Sequence, residues 1–150
     1  MKKLLIILAL GSLTANATQP ATPNLSPSIE DTLLRYAILE QYMKELTGVL
    51  NRIQDKDSAE DQARFITMLC TEMFKLLQDT KDPYQILPEI KTITDRRLML
   101  SSRAAVEEAG LNLQKELIRL AENEFYGSAT LIKTLQSLDI LDDDADEFIR

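Results

Sequence analysis

The chain contains almost none of the side chains that metal and nucleophile chemistry requires. It has no histidine and a single cysteine, Cys70. Zinc sites need histidine or several thiolates, and the Ser–His–Asp and Cys–His arrangements need an imidazole base. The composition therefore excludes zinc enzymes and triad hydrolases, and we expect no cofactor and no resident metal.

Carboxylates are the other groups that could do acid–base or metal chemistry. Glu107 and Glu108 are adjacent on a predicted helix, so they do not share a face and are expected to be solvated. A glycosidase needs two carboxylates that converge across a cleft, and short helices leave little room for one. Five acids also lie near the carboxyl end: Asp142, Asp143, Asp144, Asp146 and Glu147. They could bind Ca²⁺ weakly, but they lack the glycine and distal glutamate of an EF-hand loop, so a solvated tail is predicted.

Cys70 lies between Leu69 and Met73 in a helical apolar pattern. Free cysteine is buried as readily as a small hydrophobic side chain, and a lone cysteine cannot form an internal disulfide. We predict a buried, inert thiol. An intermolecular disulfide or a reactive thiol is the alternative, although a nucleophilic cysteine normally has a basic partner.

Arg96, Arg97 and Arg103 form the main basic cluster. Pairing with neighbouring acids is the simpler interpretation, since Arg103 and Glu107 have the spacing of an i,i+4 pair. Contact with an anion or a protein partner is the alternative.

Four helices are predicted to carry these groups, because apolar residues recur every three and four positions. The first spans 28–53 and is capped by Ser26 or Ser28. Glu40 takes the one position of its inner face that has no apolar residue. That face otherwise consists of Ile29, Leu33, Tyr36, Met43, Leu46, Leu50 and Ile53. The second follows a break at 54–57 and a capping box at Asp57–Glu60. Its inner face consists of Ala59, Ala63, Ile66, Leu69, Cys70, Met73, Leu76 and Leu77. The short connection predicts an antiparallel hairpin.

After a break at 79–83, where Asp82 and Pro83 resemble a cap, the third helix is predicted from Pro88 to Phe125. Its inner face is predicted to consist of Ile90, Ile93, Leu100, Ala104, Leu113, Leu117, Leu120 and Ala121. Gly127 can end the helix in the left-handed conformation, and Ser128 can cap a short fourth helix. That helix carries Ala129, Leu131, Ile132, Leu135 and Leu138.

The third helix is longer than the hairpin that it packs on. Its apolar face is thin from Asp95 to Glu108, so it must overhang the bundle, bend near Gly110 or pack on another copy. Apolar side chains beside arginine on an uncovered helix are typical of protein interfaces. The candidate interaction surface consists of Arg96, Arg97, Leu98, Met99 and Arg103. The alternative is that the helix folds back at Gly110 and covers these residues itself.

The amino end has the features of a secretory signal over 1–17. Lys2 and Lys3 precede an apolar run, and Ala15 to Ala17 supplies the small residues of a cleavage site. The run is too short to span a bilayer, so we expect a mature chain that starts at Thr18 and has no membrane span. Residues 18–27 contain three prolines and no charge, which predicts a flexible leader.

Two segments resemble parts of small secreted all-helical proteins. One is the helix start Asp57–Ala59, followed by Ala63, Ile66 and Leu69; the other is Arg119–Ser128. The resemblance implies a helical fold and export, and it implies no active site.

The predicted fold is an all-α antiparallel helical bundle of three long elements and a short C-terminal helix over 28–138, with an acidic tail over 139–150. The chain is acidic, with a net charge of -7, which disfavours nucleic acid and anionic lipid as partners. We expect a non-enzymatic exported binding module, periplasmic or secreted, whose partner is protein, either itself or an envelope component. A structural or assembly subunit of a cell-envelope complex is the alternative.

Overall fold

The computed structural model describes residues 29–80 and 87–141, and this part of the chain contains helices and no strand. The α-helices are α1 (Ile29–Asn51), α2 (Lys56–Asp79), α3 (Ile93–Glu122) and α4 (Ala129–Ser137). Two short 3-10 turns, Leu87–Glu89 and Glu124–Gly127, flank α3. The predicted all-α bundle of three long helices and one short helix is confirmed.

Several predictions lie outside the described residues. These are the signal peptide over 1–17, the leader over 18–27, the cap at Asp82 and Pro83, and the acidic tail from residue 142 onwards. None of the described helices has an apolar stretch long enough to cross a membrane.

The turn between α1 and α2 ends in a capping box. The Asp55 carboxylate accepts a hydrogen bond from the backbone N–H of Ser58 at 2.8 Å, and the Ser58 hydroxyl accepts one from the backbone N–H of Asp55 at 3.1 Å. The predicted box at Asp57–Glu60 is therefore wrong, because α2 already begins at Lys56 and Asp57 lies inside its first turn. The hydrogen bonds from the Ser58 hydroxyl and backbone hold the pKa of Asp55 below its ordinary value.

The inner face of α1 follows a seven-residue repeat, which is the spacing of a coiled-coil seam. Most of its buried positions alternate in steps of four and three, and the row continues past the end of the helix: Thr32, Tyr36, Leu39, Met43, Leu46, Leu50 and Ile53. Val49 is buried beside this row. Ile29 and Leu33, predicted for this face, are only partly buried. Leu39 occupies the inner-face position that was assigned to Glu40, and Glu40 instead pairs with Lys44. The small side chain of Thr32 takes a seam position that apolar residue types alone did not reveal.

A matching seam runs along α3. Its buried members are Met99, Val106, Gly110, Leu113, Leu117 and Leu120. Arg103, half-buried, completes the alternating steps. The prediction that Ile93, Leu100 and Ala104 belong to the inner face is wrong, because all three are exposed. They lie one position after a seam position, about 100° round the helix.

The boundaries of α3 also differ from the prediction. The helix begins at Ile93 instead of Pro88, because the Thr92 hydroxyl caps it by accepting a hydrogen bond from the backbone N–H of Asp95 at 3.1 Å. Pro88 lies in the preceding 3-10 turn. The helix continues through Gly110 without interruption and ends at Glu122, so it does not break at the glycine.

The carboxyl ends of α1 and α3 lie side by side. Asn51 Nδ2 donates to Glu116 Oε1 at 3.3 Å, and Arg119 Nη1 and Nη2 donate to the carbonyl oxygens of Ile53 and Leu50 at 3.1 and 2.8 Å. Because α1 packs closely on α3, the two helices run in the same direction. The two seams have the same spacing, so one constant shift along the sequence relates Thr32 to Met99 and Ile53 to Leu120. This shift lies between the separations of 66 and 69 residues that join Arg119 to the Ile53 and Leu50 carbonyls.

At the carboxyl end of the described residues, α4 packs against α2. The predicted cap is confirmed, since the Ser128 hydroxyl accepts a hydrogen bond from the backbone N–H of Leu131 at 3.2 Å. Ile140 and Leu141 are each only 7% exposed and belong to the core. The predicted boundary at residue 138 is therefore wrong, because the packed bundle extends to Leu141.

Candidate interaction surface

The structure divides the predicted interaction surface between the exterior and the core. Arg96 and Arg97 are exposed, and Leu98 is 49% exposed. Arg96 Nε donates a hydrogen bond to the backbone carbonyl of Ile90 at 2.8 Å, which ties the first turn of α3 to the segment before it. These three residues are available at the surface.

Met99 does not belong to an exposed surface, because its side chain is completely buried. It occupies the first seam position of α3, where the register places it opposite Thr32. Val106, which the predicted overhang also included, is a seam residue and is buried. The predicted overhang from Asp95 to Glu108 is therefore wrong as a continuous uncovered segment.

Arg103 is the remaining member of the predicted surface. Its Nε donates to Glu107 Oε1 at 2.7 Å, with the side chain 26% exposed. The predicted i,i+4 pairing of Arg103 with Glu107 is confirmed. Arg103 also takes a seam position of α3, which explains why this part of the helix looked thin in apolar residues.

A second apolar stripe runs along the outside of α3. We call it the outer stripe, and its members are Ile93, Leu100, Ala104, Leu111 and Ile118. Its four large side chains are between 40% and 71% exposed. They follow the same steps of four and three as the seam, with Arg97, Glu107 and Gln114 at the intervening positions. An apolar row of this regularity is what a helix presents to a neighbouring helix.

Sequence reasoning partly missed this stripe. It assigned Ile93, Leu100 and Ala104 to the inner face and did not use Leu111 or Ile118. The signal was present, because two rows with coiled-coil spacing lie one residue apart along α3. Residue types cannot indicate which of two such rows faces the bundle.

Two smaller apolar pairs are also exposed. Leu34 and Ile38 lie one turn apart on α1, and Phe65 and Met68 lie nearly one turn apart on α2. Each pair covers a single turn, whereas the outer stripe extends along most of α3. The outer stripe is therefore the better candidate for binding another helix.

Arg119 is the centre of a polar cluster at the carboxyl ends of α1 and α3. Besides its bonds to the α1 carbonyls, its Nε donates to Glu116 Oε2 at 2.8 Å and its Nη1 donates to the Tyr126 hydroxyl at 3.0 Å. The last carbonyls of a helix lack intrahelical partners. Arg119 gives the Leu50 carbonyl a second donor beside the Ile53 backbone N–H and gives the Ile53 carbonyl, just after α1, a donor of its own. It joins α1, α3 and the turn after α3, so its role is structural.

The turn after α3 has a left-handed backbone over four consecutive residues. Glu124, Phe125, Tyr126 and Gly127 have φ between 51° and 67°. The left-handed conformation predicted for Gly127 is confirmed, but the three residues before it adopt it at a cost of roughly 1–2 kcal/mol each. Phe125 is completely buried and Tyr126 is bonded to Arg119, so packing holds the turn in place.

Cys70 is completely buried, as predicted. Burial raises the pKa of its thiol to about 12. It borders an apolar cavity of about 10 Å³ that Leu50, Leu113 and Leu135 also line. Small-molecule sites are typically about 300–1,000 Å³, so this cavity cannot hold a substrate.

Among the described residues, no three or more acidic or thiol side chains converge as a metal site would require. Comparison of the chain with protein-family models, curated proteins and solved structures finds no match. The resemblance of Arg119–Ser128 to small secreted helical proteins therefore stays a prediction.

Proposed function

We propose that the protein is a non-enzymatic, exported interaction module that binds a protein partner through the outer stripe of α3. The observation that carries the proposal is the exposure of Ile93, Leu100, Leu111 and Ile118 along one face of α3. Exposed apolar rows of this kind are typical of surfaces that a partner covers.

The surroundings of the stripe fit a protein interface. Arginine is enriched at such interfaces, and Arg96 and Arg97 lie beside Leu98 and Leu100 at the exposed start of α3. The stripe lies on a helix whose inner face, about 100° round from the stripe, is buried in the core through Met99 and Leu113. A surface held in this way needs little ordering when it binds, which favours affinity.

Export is proposed from the sequence of residues 1–17, since a charged start, an apolar run and small residues at a cleavage site are the features of a secretory signal. The destination is periplasmic or extracellular. The non-enzymatic part of the proposal rests on a chain without histidine and with one buried thiol.

A structural or assembly subunit of an envelope complex is the second candidate. The length of the outer stripe favours it, because the row continues from the first residue of α3 to Ile118 near its end. A permanent assembly would cover most of that length, whereas a transient partner could use a part of it.

The test compares the exported protein with a Leu111→Ser/Ile118→Ser variant. Both are added to solubilised native envelope, and bound chains are identified and quantified by mass spectrometry, while self-association is measured by sedimentation. We expect the variant to lose association at an unchanged melting temperature. A matched variant, Leu34→Ser/Ile38→Ser, should keep it. If the α3 variant associates like the wild type, or if no association is found at all, the proposal fails.

A further inference from the structure

We propose that the partner of the outer stripe is the outer stripe of a second copy, with the two α3 helices packed antiparallel. Ile93 of one copy would lie opposite Leu111 of the other, and Leu100 opposite Ala104. The inference rests on the proposed function, because it takes the outer stripe to be the binding surface and identifies what covers it.

The stripe is complementary to itself in this arrangement. A two-fold axis near residue 102 places each stripe position from Ile93 to Leu111 opposite another, since the steps of four and three read the same in both directions. Ile93 faces Leu111, Arg97 faces Glu107, and Leu100 faces Ala104, and symmetry repeats each pair. The small side chain of Ala104 opposite Leu100 lets the helices approach closely beside the axis.

The charges select the antiparallel direction. Arg96 and Arg97 lie in the first part of α3, and Glu107 and Glu108 lie further along it. In the antiparallel pair, Arg97 of each copy meets Glu107 of the other. In a parallel pair, Arg97 would face Arg97 of the second copy, and Glu107 would face Glu107. Like charges directly opposite each other oppose association.

The same charges select the register. Sliding one α3 helix by seven residues preserves the apolar spacing but pairs Ile93 with Ile118 and Leu100 with Leu111, so the two registers differ in which apolar side chains they cover. That shift would place Arg97 opposite Gln114 and Glu107 opposite Ala104, which removes the attractive contacts between Arg97 and Glu107. We assign the register with Arg97 opposite Glu107 because it is the one of the two in which opposite charges meet.

The accessibility of these residues fits the proposal. Arg97 is exposed, and among the described residues it forms no ion pair. Glu107 is 56% exposed at its side chain although it pairs with Arg103, so its carboxylate can accept a further partner. The overlap from Ile93 to Leu111 extends for about 27 Å at 1.5 Å per residue.

The test exchanges charges between the two copies. Arg97→Glu turns both cross-copy pairs into contacts between two glutamates, and Glu107→Arg turns both into contacts between two arginines. In an equal mixture, a copy of the first variant has glutamate at both positions and a copy of the second has arginine at both, so each cross-copy pair is attractive again. Sedimentation equilibrium of the exported protein should show a dimer dissociation constant about tenfold higher for each single variant, given the strength of exposed ion pairs. In the mixture, the two variants should form a heterodimer with the dissociation constant of the wild type.

Arg35→Glu is the matched control, because it reverses a charge on α1 away from the outer stripe and should leave the dimer unchanged. Circular dichroism verifies that each variant is folded. If Glu107→Arg does not fold beside Arg103, cross-linking replaces it: Leu100→Cys mixed with Ala104→Cys should form a mixed disulfide, whereas Leu100→Cys mixed with Asn112→Cys should not.

A monomeric wild type, single variants that dimerise normally, or a mixture that is not restored would each overturn the inference. These results are distinguishable from failure of the proposed function. A monomeric protein that still binds an envelope protein through Leu111 and Ile118 would remove the second copy as partner and keep the outer stripe as the binding surface.

Discussion

Replacing Arg119 with Met should destabilise the protein far more than its partial exposure suggests. The change keeps most of the aliphatic stem and removes every hydrogen bond of the guanidinium. Two of those bonds go to the carbonyls of Leu50 and Ile53, which belong to residues with no exposed surface. The Tyr126 hydroxyl loses its bond as well.

The size of the effect follows from these partners. A hydrogen bond to a charged group contributes about 1.5–3 kcal/mol, and an unsatisfied buried acceptor costs about 1–3 kcal/mol. The Leu50 carbonyl keeps its bond from the Ile53 backbone N–H at 3.0 Å, so the second cost applies to the Ile53 carbonyl. Arg119 is 30% exposed at its side chain, so water replaces part of the loss. We expect a total of about 3 kcal/mol, which lowers the melting temperature by about 10 °C for a chain of this size.

Arg35→Met is the matched control for this measurement. Arg35 is 32% exposed and pairs with Asp31 within its own helix at 3.0 Å, as Arg119 pairs with Glu116. Exposed i,i+4 pairs contribute about 0.3–0.5 kcal/mol, so its melting temperature should change by no more than about 2 °C. Equal shifts for the two variants in thermal denaturation by circular dichroism would refute the role given to Arg119.

Three further predictions concern the core, the thiol and the cap. Met99→Ser should lower the free energy of unfolding by several kcal/mol, since emptying a buried site of this size costs about 2–5 kcal/mol. Leu98→Ser should change the free energy of unfolding by less than about 1 kcal/mol. Equal effects of the two variants in urea titration would contradict the burial of Met99. Cys70 should react with a thiol reagent slowly in the native protein and quickly in denaturant. Because its folded pKa is about 12, its contribution to stability should be fully present below about pH 8.5, the ordinary pKa of a thiol, and decline as the pH rises toward the folded value; fast native labelling would show that the thiol is accessible. Ser58→Ala should destabilise α2 at neutral pH. Because the pKa of Asp55 is lowered in the folded state from 3.8, the difference from wild type should shrink as the pH falls below that value, and a difference that stays constant in acid would mean that the capping box does not depend on the Asp55 charge.

The helices and their class could be predicted from the sequence because the apolar spacing is regular and the breaks are marked. The capping serine of α4 and the left-handed Gly127 follow from local chemistry, and both are confirmed. The inner face of α2 was also predictable, because most of its apolar residues form one row, with Phe65 and Met68 outside it. Burial of Cys70 follows from its place in that row.

The face of α3 could not be predicted in the same way. The helix has two apolar rows, and which row meets α1 depends on a register set over the whole length of both helices. Thr32 and Arg103 occupy seam positions although neither is apolar, so a search for hydrophobic residues passes over them. The packing of Ile140 and Leu141 was hidden by the acidic residues that follow them.

The left-handed turn from Glu124 to Gly127 and the polar cluster around Arg119 were not predictable either. Glutamate, phenylalanine and tyrosine carry no preference for positive φ, and burial of Phe125 is what holds them there. The hydrogen bonds from Arg119 to the Leu50 and Ile53 carbonyls join residues more than sixty positions apart, so no local sequence pattern indicates them.

The most direct test of the outer stripe as the binding surface is the reactivity of a thiol placed within it. Ala104→Cys introduces an exposed cysteine at the middle of the stripe, while Cys70 stays buried. The rate of its modification should fall as the protein concentration rises into the range of association, because the partner covers the position. Asn112→Cys, on another face of α3, should react at the same rate throughout. If Ala104→Cys also reacts at a constant rate in a protein that sedimentation shows to be associated, the interface lies elsewhere and the outer stripe is not the binding surface.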